Sequence, residues 1–213
     1  PQLYKQLLMI GGMDRYFQIA KCFRDEDLRA NRQPEFTQID VEMSFVDQEN
    51  DVMEIMEGFL AKLFREVKQM ELSLPLRRLT YKEAMENYGS DKPDLRFEMK
   101  LKDLSDVVAN CGFGVFESAV KNGGKVRCIV LKGKEKEISR KEIDRLTEFV
   151  KTYRAKGLAW FAESEPVRSS FAKFLSEETL NAIRKQAELE KGDLLFVVAD
   201  TDDEIVCNAL GAL

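Results

Sequence analysis

The chain has 213 residues, 44% of them hydrophobic and 33% charged, a composition that fits one large or two small globular domains. A formal net charge of −5 supplies no global basic field for RNA, so any nucleic-acid contact must come from local groups. No apolar run approaches the ~20 residues a membrane span needs, and no basic segment followed by an apolar stretch reads as a secretory signal.

There is no histidine, and Cys22, Cys111, Cys128 and Cys207 form no CxxC pair. Zinc binding and Cys/His or Ser/His/Asp catalysis are therefore poorly supported, and no metal ligands are assigned. The cysteines read as reduced thiols of a cytosolic protein. Acidity is shared between the halves: residues 1–96 hold 14 basic and 18 acidic side chains, and the remainder 19 and 20.

Leu3, Leu7 and Leu8 begin a helical pattern directly after Pro1. Two strands follow, joined by a charged loop. Tyr16, Gln18, Ala20, Cys22 and Arg24 alternate with Phe17, Ile19 and Phe23 in the first. Phe36, Gln38, Asp40, Glu42 and Ser44 alternate with Ile39, Val41, Met43 and Phe45 in the second. Successive strand residues point to opposite faces, which predicts a sheet with an oily back and a polar front. That front gathers an Arg, a Gln, an Asp and a Glu, a mixture suited to a zwitterion or a nucleotide phosphate.

Asn50 or Asp51 can then cap a helix whose stripe of Val52, Ile55, Met56, Phe59, Leu60, Leu63, Phe64 and Val67 reads as core. Thr80 and Glu83 form a capping box for a short helix to Tyr88, and GSDKPDLRF reads as an interdomain linker. Beyond it, the pattern predicts a short helix at Leu104–Asn110, a strand at Val115–Val120, a turn at Asn122–Gly124 and a strand at Lys125–Leu131. A helix from Ser139 to about Ala155, boxed by Glu142 and stopped by Gly157, precedes a strand at Leu158–Ala162. Ser176 caps a helix to about Glu190, a strand covers Leu194–Ala199, and Asp202 caps a last helix. Trp160 reads as core, and Arg168 lies in a loop of no evident purpose. The domain division falls at 96/97. The first residue is not Met and NALGAL breaks off within an apolar helix, so the sequence reads as a piece of a longer protein, truncated at its C-terminal side.

The run FRDED followed by LRANRQPEFTQIDVEMSF resembles motif 2 of the class II aminoacyl-tRNA synthetases, in the form found in bacterial-type aspartyl-tRNA synthetases. The preceding PQLYKQLLMIGGMDRYFQIAKCF resembles the segment leading into it. From YGSDKPDLRF onward the chain resembles the insertion domain that these enzymes share with certain amidotransferase subunits. The resemblance implies an α+β fold: part of an antiparallel catalytic sheet, then a small α/β-layer insertion domain. It implies an aspartate–tRNA ligase that forms aspartyl-adenylate from L-aspartate and ATP with Mg2+ and transfers aspartyl to tRNA. A cytoplasmic homodimer is the expected form of the full-length protein.

By the same resemblance, Arg24 is the catalytic arginine that contacts the α-phosphate of ATP and the amino-acid carboxylate. A planar guanidinium with five donors suits a phosphoryl centre better than an ammonium does. The alternative for Arg24 is a surface ion pair with Glu26 or Asp40. Asp25, Glu26, Gln33 and Phe36 fall on ATP-site positions, Phe36 stacking on adenine; the alternative for Phe36 is core packing. Gln38 and Asp40 fall on positions that hold the substrate ammonium. Gln2 and Lys5 match the segment that closes over aspartate, Lys5 facing its side-chain carboxylate. Glu26, Arg29 and Arg32 fall on the loop that meets the tRNA 3′ end; the alternative for the arginines is a solvated loop.

The resemblance does not extend to an anticodon-binding barrel, to motif 1, or to motif 3 and the later aspartate and metal ligands. The segment alone is therefore expected to be inactive. The other reading is a non-catalytic RNA-binding or amidotransferase-type module. A synthetase for asparagine or lysine is disfavoured by the second half. The sequence admits both a ligase for tRNA-Asp alone and one that also charges tRNA-Asn.

Overall fold

The computed structural model describes residues 2–25, 27 and 32–213, with the side chain of Gln2 outside that description. The chain divides into two compact units, residues 1–78 and Leu79–Leu213.

The first unit opens with helix α1, Gln2–Ile10, which ends at Gly11 and Gly12. Strands β1, Arg15–Phe23, and β2, Glu35–Met43, then pair antiparallel. The register sets Tyr16 opposite Glu42, Gln18 opposite Asp40, Ala20 opposite Gln38 and Cys22 opposite Phe36. All eight residues therefore share one face, as the alternation predicts. The Arg24 amide closes the base of the connecting loop with a 2.8 Å hydrogen bond to the Pro34 carbonyl.

The opposite, apolar face is open. Phe17, Ile19 and Phe23 are 73%, 71% and 70% exposed, while the polar face is half-buried. Helix α2, Glu49–Leu63, continues as a π-helical turn over Phe64–Lys68. Its cap is Gln48 rather than the expected Asn50 or Asp51. Asp51 serves from inside the first turn instead, its carboxylate accepting from the Asp47 and Gln48 amides at 3.1 and 3.2 Å. Asn50 accepts from the Arg78 guanidinium. Along the stripe expected to be core, Ile55, Met56, Leu60 and Phe64 are half-buried, whereas Val52, Phe59, Leu63 and Val67 are exposed. Among the described residues of this unit, no apolar side chain is fully buried.

The second unit is built differently. Helix α3, Tyr81–Tyr88, has the predicted cap: Thr80 Oγ1 accepts from the Glu83 amide at 3.1 Å, and the Glu83 carboxylate accepts from the Thr80 amide at 2.9 Å. Five antiparallel strands follow in the spatial order β3 (Lys102–Asp103), β4 (Lys125–Leu131), β7 (Leu194–Asp200), β5 (Ala159–Ala162), β6 (Arg168–Ser169). Helices α4 (Ser105–Val108), α5 (Gly114–Lys121) and α7 (Glu177–Ala187) cover one face, burying Val108, Phe116, Ala119, Leu180 and Ile183 against Cys128, Phe161, Leu195 and Val197. Helices α6 (Arg140–Lys151) and α8 (Asp203–Ala212) cover the other, burying Ile143, Val150, Val206 and Leu210 against Ile129, Trp160 and Phe196. Burial on both faces explains why β7 reads as an unbroken apolar run, LLFVVA.

Three expectations change here. The segment Val115–Val120 is helix, not strand: Phe116 and Ala119 lie one turn apart and reach the core together, while the valines at either end give the stretch its strand-like composition. The linker and α3 pack with the second unit, so the compact boundary falls at Arg78/Leu79, earlier than the 96/97 division. The reason is local: Gly89 ends α3 at φ +63° and lies against α8 so closely that a Cβ there would stand 2.0 Å from the Cys207 carbonyl oxygen. Arg168 lies in β6 rather than in a loop and pairs with the buried Glu135 carboxylate.

Candidate functional site

The half-buried face of the β1–β2 pair gathers five of the eleven residues expected to act on substrate. Helix α1 lies over its far end, where Ser44 Oγ donates to Met9 Sδ at 2.9 Å. One turn earlier in α1, Lys5 reaches down to the sheet. Its ammonium is 2.5 Å from Asp40 Oδ1 and 3.8 Å from Glu42 Oε2. The second Asp40 oxygen accepts from Gln18 Nε2 at 3.4 Å. Chiefly through the Lys5 hydrogen bond, and against the cost of burial, the Asp40 carboxyl is held below the usual aspartate range. Lys5 is raised in turn, first by Asp40 and further by Glu42.

Toward the loop, Cys22 Sγ stands 3.6 Å from Gln38 Oε1. The Arg24 guanidinium lies over the Phe36 ring, 5.2 Å from its centroid. Phe36 is thus on the polar face and half-buried. An adenine ring stacking there would share or displace the guanidinium, a cation–π contact of about 0.5–1 kcal/mol at an exposed site.

The site residues named from the sequence divide as follows. Lys5, Arg24, Phe36, Gln38 and Asp40 come together on one face. Asp25, Arg32 and Gln33 are exposed at the loop's ends. Gln2 lies one turn before Lys5 in α1, its side chain outside the described residues, as are Glu26 and Arg29. Sequence reasoning gave no part to Gln18, Cys22 or Glu42 beyond placing them on this face. The alternation carried that signal, since each falls in step with a named residue. Among the described residues no three His, Cys, Asp or Glu side chains converge as a metal site.

Chemically, this face pairs a cation and an anion that can exchange their mutual contact for a ligand of opposite polarity. Asp40 offers a carboxylate to an ammonium, Lys5 an ammonium to a carboxylate, and Arg24 a planar donor set to phosphate or carboxylate.

The description "tRNA synthetases class II (D, K and N)" matches residues 1–200. The aspartate–tRNA ligase of Ruminiclostridium cellulolyticum is 59% identical over the whole chain, which covers 36% of that protein. An aspartate–tRNA(Asp/Asn) ligase of Symbiobacterium thermophilum is 60% identical with the same coverage. The aspartate–tRNA ligase of Clostridium perfringens is 58% identical, with 35% of its length covered. The chain thus spans little more than a third of the length of these curated relatives. Its motif-bearing strand pair and its match over residues 1–200 make it a member of the class II tRNA synthetase family.

Proposed function

We propose that the full-length protein is an aspartate–tRNA ligase, which joins L-aspartate to ATP as aspartyl-adenylate and then transfers aspartyl to tRNA. The observation that carries this reading is the Lys5–Asp40 pair on the face that also presents Gln38 and Arg24. Aspartate carries one ammonium and two carboxylates. Asp40 and Gln38 take the ammonium, Lys5 takes the side-chain carboxylate, and Arg24 holds the reacting carboxylate against the α-phosphate. Opposed charges select for an acidic side chain, since an aliphatic one offers the Lys5 ammonium no carboxylate in exchange for Asp40. Catalysis is then positional and electrostatic, without a covalent enzyme intermediate.

Asp25, Glu26, Gln33 and Phe36 complete the nucleotide side, and Glu26, Arg29 and Arg32 meet the tRNA end. The relatives' names support the substrate assignment, and both "aspartate–tRNA ligase" and "aspartate–tRNA(Asp/Asn) ligase" occur among them. A cytoplasmic homodimer using Mg2+ belongs to the same proposal.

The test is Lys5→Met in the full-length protein. A charge-assisted hydrogen bond to a carboxylate contributes about 1.5–3 kcal/mol, so the KM for aspartate should rise roughly ten- to a hundredfold in pyrophosphate exchange. The KM for ATP should stay where it was. An unchanged KM for aspartate would remove Lys5 from the site and, with it, the proposed basis of selectivity.

A further inference from the structure

We propose that Gln18 and Cys22, four residues apart on one face of β1, are positioning residues that hold Asp40 and Gln38 of β2 in the orientation that receives a substrate ammonium. The inference rests on the assignment of Asp40 and Gln38 above and adds two residues to it.

Gln18 is directly opposite Asp40 in the strand register, where cross-strand Cβ atoms lie about 4.5–5.5 Å apart. An ionised carboxylate only accepts hydrogen bonds, so the amide must turn its nitrogen to it. Gln18 Nε2 does so at 3.4 Å from Oδ2, while Lys5 holds Oδ1 at 2.5 Å. With one contact on each oxygen, rotation of the carboxyl group is fixed from both sides. Lys5 can leave for a substrate carboxylate; Gln18, anchored in the strand, stays. The hydrogen bond from Gln18 also favours the ionised form of Asp40, in the same direction as Lys5.

Cys22 acts on the second ligand. It lies diagonally across from Gln38, whose direct partner is Ala20. The thiol has one proton and two acceptors within reach, Gln38 Oε1 at 3.6 Å and the Ala20 carbonyl at 3.8 Å. Donation to Oε1 selects the amide orientation with its oxygen beside β1. That oxygen keeps a second lone pair for an ammonium. Ala20, between the two, brings only a methyl group and so does not compete. A half-exposed strand position with no further role would suit a threonine or valine better than a glutamine.

The experiment measures aspartate-dependent pyrophosphate exchange by the full-length protein, with the KM values for aspartate and ATP and kcat determined separately. The variants are Gln18→Met, which keeps shape without N–H donors, Cys22→Ala, Cys22→Ser and Asp40→Asn. Gln18→Met should raise the KM for aspartate about tenfold, the loss of one hydrogen bond to a charged group, with kcat and the KM for ATP within about twofold. Cys22→Ala should raise it a few-fold, and Cys22→Ser, which restores a donor, should return it toward the starting value. Independently of activity, carboxyl carbon NMR on the 213-residue chain should show the Asp40 pKa higher in Gln18→Met. An unchanged KM for aspartate together with an unchanged Asp40 titration in Gln18→Met overturns the proposal. So does a serine variant no better than alanine, for Cys22. If Asp40→Asn raises the KM while Gln18→Met does not, only the positioning role fails; if Asp40→Asn also leaves it unchanged, the assignment of Asp40 fails first.

Discussion

The two units solve opposite problems. From Leu79 onward a five-stranded sheet is covered on both faces, and every fully buried apolar side chain of the described residues lies in that stretch. In residues 1–78 the half-buried face is the polar one, and the phenylalanines and isoleucines on its back are open. The second unit has its hydrophobic stabilisation within itself. The first holds its charged side chains in place with hydrogen bonds and ion pairs across a strand pair. The lesson is that the proposed chemistry falls where this chain's own core is thinnest, and not in its most self-sufficient unit.

The sharpest contrast should appear in stability. Phe161 is fully buried, 6.0 Å from the Phe171 ring and beneath the Arg184 guanidinium. Phe161→Ala should cost about 3–5 kcal/mol, as truncations of buried aromatics do. Ile19→Ala, at a side chain 71% exposed, should fall within about 0.5 kcal/mol. Denaturant melts of the two variants of the 213-residue chain, followed by signals local to each unit, would show it. Equal losses would mean that the back of the strand pair is covered after all.

The same contrast reverses for activity. Arg24 lies over Phe36 on the polar face and supports no core. In the full-length protein Arg24→Ala should lower adenylate formation by about 100-fold or more, the scale of losing one preorganised donor to a developing charge. The melting temperature should hardly move. Near-normal exchange, or unfolding of the variant, would count against its assigned contact with the α-phosphate.

How far this could be read in the sequence depended on how local each signal was. The caps at Thr80, Ser139, Ser176 and Asp202 were legible because a cap involves residues two or three apart, and each side chain accepts from the expected amide. The polar face was legible because alternation forces it. The α2 stripe was read as core because periodicity reports which residues are apolar and not what covers them. The helix α6 stops at Lys151, four residues short of the predicted end, with Arg154 at φ +72° and no glycine to announce the turn. The edge strands β3 and β6, two residues each, carry no period at all. In the site, Lys5 and Asp40 were each named from the resemblance, but their mutual contact is made across 35 positions, and only the fold brings them together.

One measurement bears on the central claim most directly. Residues 79–213 of the full-length protein, the whole second unit, would be replaced by a short linker, and aspartate-dependent pyrophosphate exchange and tRNA aminoacylation measured separately. If adenylate chemistry belongs to the strand-pair face, exchange survives within a few-fold, and any loss falls on aminoacylation and deepens with salt, as a weakened RNA contact should. Loss of exchange in a folded variant would contradict the account, because the second unit would then be shaping the site.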